Sequence, residues 1–287
     1  MKSRQLRVAA IHDLSGFGRC SLSVILPVIS VMGIQVCPVP TAILSTHTGG
    51  FGEVERVDLT DYIGSCLARY QQLGIGIDCI YTGYLSSVEQ VAHVQEFFAA
   101  YPHGLKVVDP VMGDHGKLYR SFAPPLVEGI VQLASQAEVI TPNLTEAAIL
   151  LGEPVAMGQI TTAAARSMLA RLSKKGPQRV VITGVTLATG EYANICYDSE
   201  HNSYWKSVSD YLPVSYPGTG DIFAAVLTAS LLSGDSLPMA MDRATGYVEL
   251  TIKTTYGYST EPREGVMLEE TLEWLTHRDL PRGYVTL

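Results

Sequence analysis

Two glycines around a threonine, followed by an acid and an apolar run, form the strongest chemical signal in the chain: Gly218-Thr219-Gly220-Asp221, behind Pro217 and ahead of Ile222–Leu232. A helix starting there presents unpaired backbone N–H groups and roughly half a positive charge to an anion. An Asp beside those donors is placed to take a proton from a hydroxyl that attacks the bound phosphoryl group. Gly220 is then expected to need an approach distance, and a backbone angle, that a branched side chain resists. A glycine turn capped by Thr or Asp accounts for the same four residues without a ligand.

Two further segments each follow an apparent strand directly. Asp109-Pro110-Val111-Met112-Gly113-Asp114 follows Leu105–Val108. Its two carboxylates, five residues apart, suit Mg²⁺ held through waters beside a polyphosphate, and equally a solvated Pro-Gly turn. Thr141-Pro142-Asn143-Leu144-Thr145-Glu146 follows Glu138–Ile140. Asn143 with Glu146 three residues on is a capping box, in which Gln would serve as well as Glu, and it also aims an amide and a carboxylate at one crevice.

Near the amino end, Asp13-Leu14-Ser15-Gly16-Phe17-Gly18 follows the first strand and Ser45-Thr46-His47-Thr48-Gly49-Gly50 the second. With that first strand ending at Ile11, Asp13 is expected in a loop at the crevice mouth, there to meet a ligand or to cap Gly16–Arg19. His47 is either a satisfied loop histidine or a ligand contact. Five segments meeting at strand ends carry more weight than any one of them.

Other phosphate and nucleophile signatures are missing. No G-x-x-x-x-G-K-[ST] occurs, and Gly113–Gly116 fails as a P-loop because Leu118 stands where Ser or Thr is required. Gly74-Ile75-Gly76 precedes a strand instead of following one, and G-x-S-x-G is absent.

The elements that must position these groups alternate in kind. Leu6–Ile11, Ile34–Pro38, Ile77–Tyr81, Leu105–Val108, Glu138–Ile140 and Arg179–Thr183 read as strands, bounded by turn residues. Leu22–Met32, Leu59–Leu73, Val88–Ala99, Phe122–Ala134 and Thr161–Lys174 between them carry helical period. Runs apolar at every position, such as Val180-Val181-Ile182, suit a parallel sheet covered on both faces. The expected fold is α/β, a doubly wound, mostly parallel sheet sandwiched by helices. Tyr192–Tyr197 and Tyr204–Val208 alternate and read as a short antiparallel extension, followed by helices Gly220–Ser233, Leu237–Lys253 and Leu268–Leu275. With no linker, low-complexity tract or repeat, residues 1–287 are expected to form a single domain.

Composition narrows the function further. The 287 residues carry 20 Lys+Arg against 28 Asp+Glu, a net charge of −8, with no basic run longer than Lys174-Lys175. Nucleic acid is therefore not an expected partner. The amino end lacks a signal-peptide apolar stretch, and the cytoplasm is the expected location. Cys20 to Gly52 holds no Asp, Glu, Lys or Arg, but Pro27, Pro38, Pro40 and polar residues interrupt it, so no membrane span is expected. Five scattered cysteines without a C-x-x-C pair read as reduced thiols.

As a set, these motifs resemble the ribokinase-like superfamily and, within it, the pyridoxal (vitamin B6) kinase family. Gly218-Thr219-Gly220-Asp221 is similar to its anion hole and base, and Asp109–Asp114 to its D-P-V-M-G-D. Thr141-Pro142-Asn143 with Glu146 resembles T-P-N-x-x-E, and Ser45-x-His47-Thr48-Gly49 resembles S-x-H-T-G. The resemblance covers nearly the whole chain in order. It implies an ATP-dependent phosphotransferase acting on the 5′-hydroxymethyl of pyridoxal, pyridoxine or pyridoxamine, with Asp221 as base and Gly218, Thr219 and Gly220 as anion hole. Asp109 and Glu146 would lie on the magnesium side, with Asp114, Asn143 and Thr183 near the ATP phosphates. Asp13, Thr48, His47 and Tyr84 would lie near the pyridine ring. Mg²⁺, a monovalent cation and a homodimer are implied in the same way.

The chain also departs from that pattern. His12-Asp13 and Gly16-Phe17-Gly18-Arg19 replace the usual Q-S and V-G-N segments and are closer to the D-P-S-G-G-A-G of hydroxymethylpyrimidine kinases. The loop between Met112 and Tyr119 is short for a flap over ATP. A hydroxymethylpyrimidine kinase of thiamine synthesis therefore stays open as an alternative, as does a non-catalytic vitamin-binding protein on the same scaffold.

Overall fold

Val8–Ile11 has no solvent exposure, as a strand covered on both faces requires. It belongs to β1 (Arg7–Phe17), which pairs in parallel with β2 (Gln35–Thr46) on one side. A computed structural model describes residues 4–155, 158–277 and 283–287. In it a short β3 (Arg56–Asp58) pairs antiparallel with β2 at that edge, and β4 (Cys79–Thr82) is the other neighbour of β1. The parallel ladder continues through β5 (Leu105–Val108). A two-stranded hairpin, β6 (Gly113–Asp114) and β7 (Lys117–Leu118), then stands apart from the sheet. Beyond it come β8 (Val139–Ile140) and β9 (Arg179–Thr186), both parallel. Then β10 (Tyr192–Asp198), β11 (Ser203–Ser209) and β12 (Val285–Thr286) extend the sheet antiparallel. The order is β12-β11-β10-β9-β8-β5-β4-β1-β2-β3 among the described residues.

Helices cover both faces. On one lie α1 (Leu22–Val31), α7 (Thr219–Leu232) and α8 (Leu237–Tyr258), packed through Ile25, Ile29, Phe223 and Tyr247. On the other lie α2 (Thr60–Gln72), α3 (Val88–Ala100), α4 (Pro124–Ser135), α5 (Leu144–Leu151) and α6 (Thr162–Ser173), packed through Ile63, Phe97, Ile130 and Leu169. Buried apolar area is the main favourable term holding such layers together. No described helix is long and apolar enough to cross a membrane. All five cysteines are free thiols.

The sheet runs further than the apolar runs alone imply. β1 continues past Ile11 to Phe17, and buried His12, Asp13 and Ser15 are strand residues, not loop residues. β2 likewise reaches Thr46 and tolerates Pro38 and Pro40, because β3 pairs only with Ala42–Leu44 and leaves the earlier part of β2 as an edge. The segment expected as a final helix, Leu268–Leu275, instead forms 3-10 turns at Leu268–Glu270 and Leu272–Thr276.

Candidate active site

The chain visits β2 on one side of β1 and returns to β4 on the other, so the strand order reverses at β1. Ligands of doubly wound sheets bind beyond the carboxyl ends of strands at such a point. There the ladder is irregular: register shifts between His12 and Leu14, so that Asp13 stands opposite two β2 residues, Thr41 and Ala42. Asp13 is buried and accepts hydrogen bonds from Ser21 Oγ at 2.7 Å and Ser15 Oγ at 3.4 Å. Burial pushes its carboxyl above the ordinary range, against the pull of those hydroxyls. The expectation that Asp13 sits in a loop or caps Gly16–Arg19 is thus corrected to a strand carboxylate at a register shift.

Ser21 occupies the position before α1 where a serine ordinarily caps the first turn. It makes no such bond, and its backbone lies at φ 52°, ψ −132°. Its hydroxyl serves Asp13, while its N–H donates to Asp221 Oδ2 at 2.9 Å. The Cys20 thiol donates to the same oxygen at 3.4 Å.

Asp221 lies in the first turn of α7, and Tyr81 on β4 donates to its carbonyl at 3.4 Å. The helix opens on Gly218, whose φ of 81° is left-handed. A Cβ at Gly218 would fall 2.1 Å from the Arg19 carbonyl oxygen, so the turn cannot pack there with any other residue. Gly220 is different: it is exposed, its φ is not positive, and a Cβ would meet nothing within 4 Å. The backbone angle expected to reserve a glycine at 220 is therefore found at 218. Burial, and secondarily the Asp13 charge, push the Asp221 carboxyl up to about 6, with the Ser21 amide pulling against them.

Asp109 follows β5 and accepts from Thr141 Oγ1 at 3.1 Å. Burial and the nearby Asp221 charge push it up to about 7. Glu146 is held through both oxygens: Met112 N–H donates to Oε1 and Asn143 N–H to Oε2, each at 3.0 Å. Asn143 returns the capping bond by accepting from Glu146 N–H at 2.9 Å, and its amide donates to the Gly113 carbonyl at 2.9 Å. Glu146 is thus both cap and tether for the 112–113 segment, beyond the capping role read from spacing. Burial, then Asp109, hold its carboxyl well above the usual range. Thr183 on β9 bridges to this turn, its N–H donating to the Pro142 carbonyl at 3.0 Å. Asp114 lies exposed on the β6–β7 hairpin, bonded to the His115 N–H at 2.7 Å; burial first, and its charge only secondarily, raise the Tyr119 and Tyr192 phenols.

The ring-side candidates are less uniform. His47 is buried, accepts from Gly49 N–H at 3.0 Å through Nδ1 and donates through Nε2 to the Arg263 carbonyl at 2.6 Å. Its ring meets Phe51 edge-on at 4.9 Å and fills the space a side chain on Gly18 would need. Both nitrogens therefore serve the protein's own frame. Thr48 is exposed beside it, and Tyr84 follows β4 with its ring 5.8 Å from that of Phe122.

Asp13, Asp221, Asp109 and Glu146 form a chain of buried or partly buried acids in which neighbours raise one another. Such a row favours a cation and a ligand that brings donors. Asp109 and Glu146 fit a divalent ion held through water, since the oxygens of Glu146 already accept backbone N–H groups. Sequence reasoning missed Ser21 and the Met112 amide. A Ser before an apolar helix signals a cap, and nothing in spacing announces that its hydroxyl turns back to Asp13.

The phosphomethylpyrimidine kinase family model matches residues 26–265. A Bacteroides thetaiotaomicron protein provisionally named phosphomethylpyrimidine kinase, crystallised with pyridoxal, is 43% identical with a TM-score of 0.93, covering 99% of this chain and 100% of its own. Pyridoxal kinase from Lactobacillus plantarum is 33% identical with a TM-score of 0.86, covering 95% of this chain and 97% of its own. The thiamine biosynthesis bifunctional protein ThiED of Geobacter sulfurreducens is 28% identical over 240 residues, 82% of this chain. The match spans 47% of ThiED, about half its length.

Proposed function

The chain belongs to the phosphomethylpyrimidine kinase family, and on that premise we propose that it transfers the γ-phosphoryl group of ATP to the 5′-hydroxymethyl of pyridoxal, pyridoxine or pyridoxamine. The observation that carries the reading is Asp221: a first-turn carboxylate with one oxygen fixed by Ser21 and Cys20, next to a glycine open to solvent. That arrangement suits a proton acceptor alongside a phosphoryl group, whereas a vitamin binder has no need of one.

In this mechanism Asp221 accepts the hydroxymethyl proton as the oxygen attacks phosphorus. A carboxyl pushed up to about 6 is mostly ionised at neutral pH and more basic than an exposed Asp. The unpaired N–H groups at the start of α7 take charge that develops on the phosphoryl oxygens. Asp109 and Glu146 would hold Mg²⁺ through water, and that ion supplies charge neutralisation between polyphosphate and acids. Asn143, Thr183 and Asp114 line the ATP side. On the ring side Asp13 accepts from the 3-hydroxyl or the protonated ring nitrogen, with Thr48, Tyr84 and the loop framed by His47 beside it.

The likeness of the amino-terminal segment at Asp13 to hydroxymethylpyrimidine kinases, together with the ThiED match, supports a second reading with the same phosphoryl transfer and a pyrimidine acceptor. Turnover of pyridoxal, pyridoxine, pyridoxamine and hydroxymethylpyrimidine with Mg-ATP decides between them. At least a tenfold higher kcat/KM on a B6 vitamer is expected. Preference for the pyrimidine would replace the B6 reading, and turnover of none of the four would remove both.

A further inference from the structure

We propose that Ser21 is a positioning residue that ties the ring-side carboxylate Asp13 to the base Asp221, so that vitamer contact and proton acceptance are aligned by one residue. The inference rests on the reading of Asp221 as base and Asp13 as ring contact, and adds the element joining them.

Ser21 is one of only four non-glycine residues with positive φ among those described. Positive φ is uncommon for a residue with a side chain, and glycine is the ordinary occupant. The conformation is held from several directions: Ser21 bridges to Leu14, and its carbonyl accepts from Val24 and Ile25 N–H at 3.1 and 3.0 Å. No side chain caps the first turn of α1, and the nearby Ser23 hydroxyl is occupied with Cys20 N–H at 3.1 Å. The Ser21 hydroxyl is turned to Asp13 instead of the helix, and its N–H to Asp221. Among the described residues these donors reach only Oδ2 of Asp221, which leaves Oδ1 for the substrate hydroxyl. A glycine at 21 would give the same N–H with less backbone strain. What serine adds is the 2.7 Å bond to Asp13.

Ser21→Gly separates the two accounts, because it relieves the backbone and deletes the hydroxyl. Melting temperature should stay level or rise, while KM for the vitamer rises about tenfold, with kcat within about threefold and KM for ATP unchanged. Ser21→Ala, which keeps the Cβ, should show the same split. In an Asp13→Ala background Ser21→Gly should add no further loss, since its partner is already gone. The coupling is overturned if either variant, folded, keeps vitamer KM within twofold of the parent. A full additional loss on top of Asp13→Ala, or an equal rise in ATP KM, overturns it too. A parent enzyme without turnover on any ring alcohol would remove the kinase reading and the coupling together, whereas an active parent with unmoved variants removes the coupling alone.

Discussion

Gly218 and Gly220 stand two residues apart in one turn, yet only Gly218 is demanded by the fold: its φ is 81° and a Cβ would lie 2.1 Å from the Arg19 oxygen, whereas Gly220 has open space. A glycine that the protein alone does not need is best accounted for by something that approaches it from outside. Here that is a phosphoryl group held by backbone donors.

Alanine at each position should therefore fail in opposite ways. Gly220→Ala should melt within a degree or two of the parent, or slightly higher because Ala is the better helix former, yet lose tenfold or more in kcat/KM for ATP. Gly218→Ala should lose several kcal/mol of stability from the left-handed angle and the backbone clash together. Thermal melts with ATP-varied kinetics on both proteins check this. A Gly220→Ala enzyme with full activity would reduce this turn to an ordinary helix start.

How far the site was legible follows from the physics of each residue. The parallel order, the two covered faces and the positions of Asp109, Asn143, Glu146 and Asp221 at element ends follow from apolar runs and glycine spacing alone. Asp13 was expected at the right end of β1 but in the wrong state, because polarity at His12 and Asp13 resembles a strand end, and burial by neighbouring elements is invisible locally. The β6–β7 hairpin and α5 are short, and short elements are specified by tertiary contacts such as Gly116 N–H to Thr145 Oγ1 at 2.9 Å. Ser21 escaped for a related reason: its N–H serves a partner 200 positions away, and its hydroxyl serves Asp13, a carboxylate whose burial in β1 is invisible locally.

Glu146→Gln should cost more than a capping box predicts. Both carboxylate oxygens accept a backbone N–H, and Gln offers one acceptor, leaving the Met112 or Asn143 amide facing an NH₂ group. One buried donor left unsatisfied costs about 1–3 kcal/mol, partly offset by removing a buried charge. The variant should melt below the parent and require several-fold more Mg²⁺ for half-maximal rate. A magnesium titration superimposable on the parent's would leave Glu146 a structural tether only.

His12 gives the fold an acid-labile component. It has no exposure, no side chain among the described residues partners its ring nitrogens, and its ring packs at 4.4 Å against that of Tyr81, whose backbone pulls weakly against the effect of burial. Burial lowers it to about 3, far below the unfolded value of 6.5. As pH falls below 6.5 the unfolded chain takes up a proton that the folded protein refuses, so stability is lost on acidification. Between pH 7 and 5 that loss amounts to about 2 kcal/mol. Raised carboxyls at Asp13, Asp109, Asp221 and Glu146 act in the opposite sense, so the comparison must be with His12→Leu. The stability difference in urea should shift in favour of the variant by about 2 kcal/mol from pH 7 to pH 5. Parallel pH curves would show that His12 meets a proton or a water in the fold.

Asp221 links rate and stability with opposite signs. As base it must be ionised, and its folded value of about 6 sets the acid limb of kcat/KM, which should fall tenfold per pH unit below that point. The groups around it are Asp13, Cys20, Ser21 and Tyr81, with Asp109 near enough to feel its charge. For stability, a carboxyl raised from 3.8 favours the folded state at low pH, and that advantage disappears as pH rises through about 6. At pH 7 the ionised Asp221 is thus a cost to the fold. Asp221→Asn removes both: kcat should drop by roughly 10²–10⁴, and the variant should melt higher than the parent at pH 7 by a margin that shrinks toward pH 4. Burying an ionised acid is then the condition under which this turn works as a base. Turnover within a few-fold of the parent would exclude Asp221 as the proton acceptor, and a lower melting temperature at pH 7 would show that the Ser21 and Cys20 bonds outweigh desolvation.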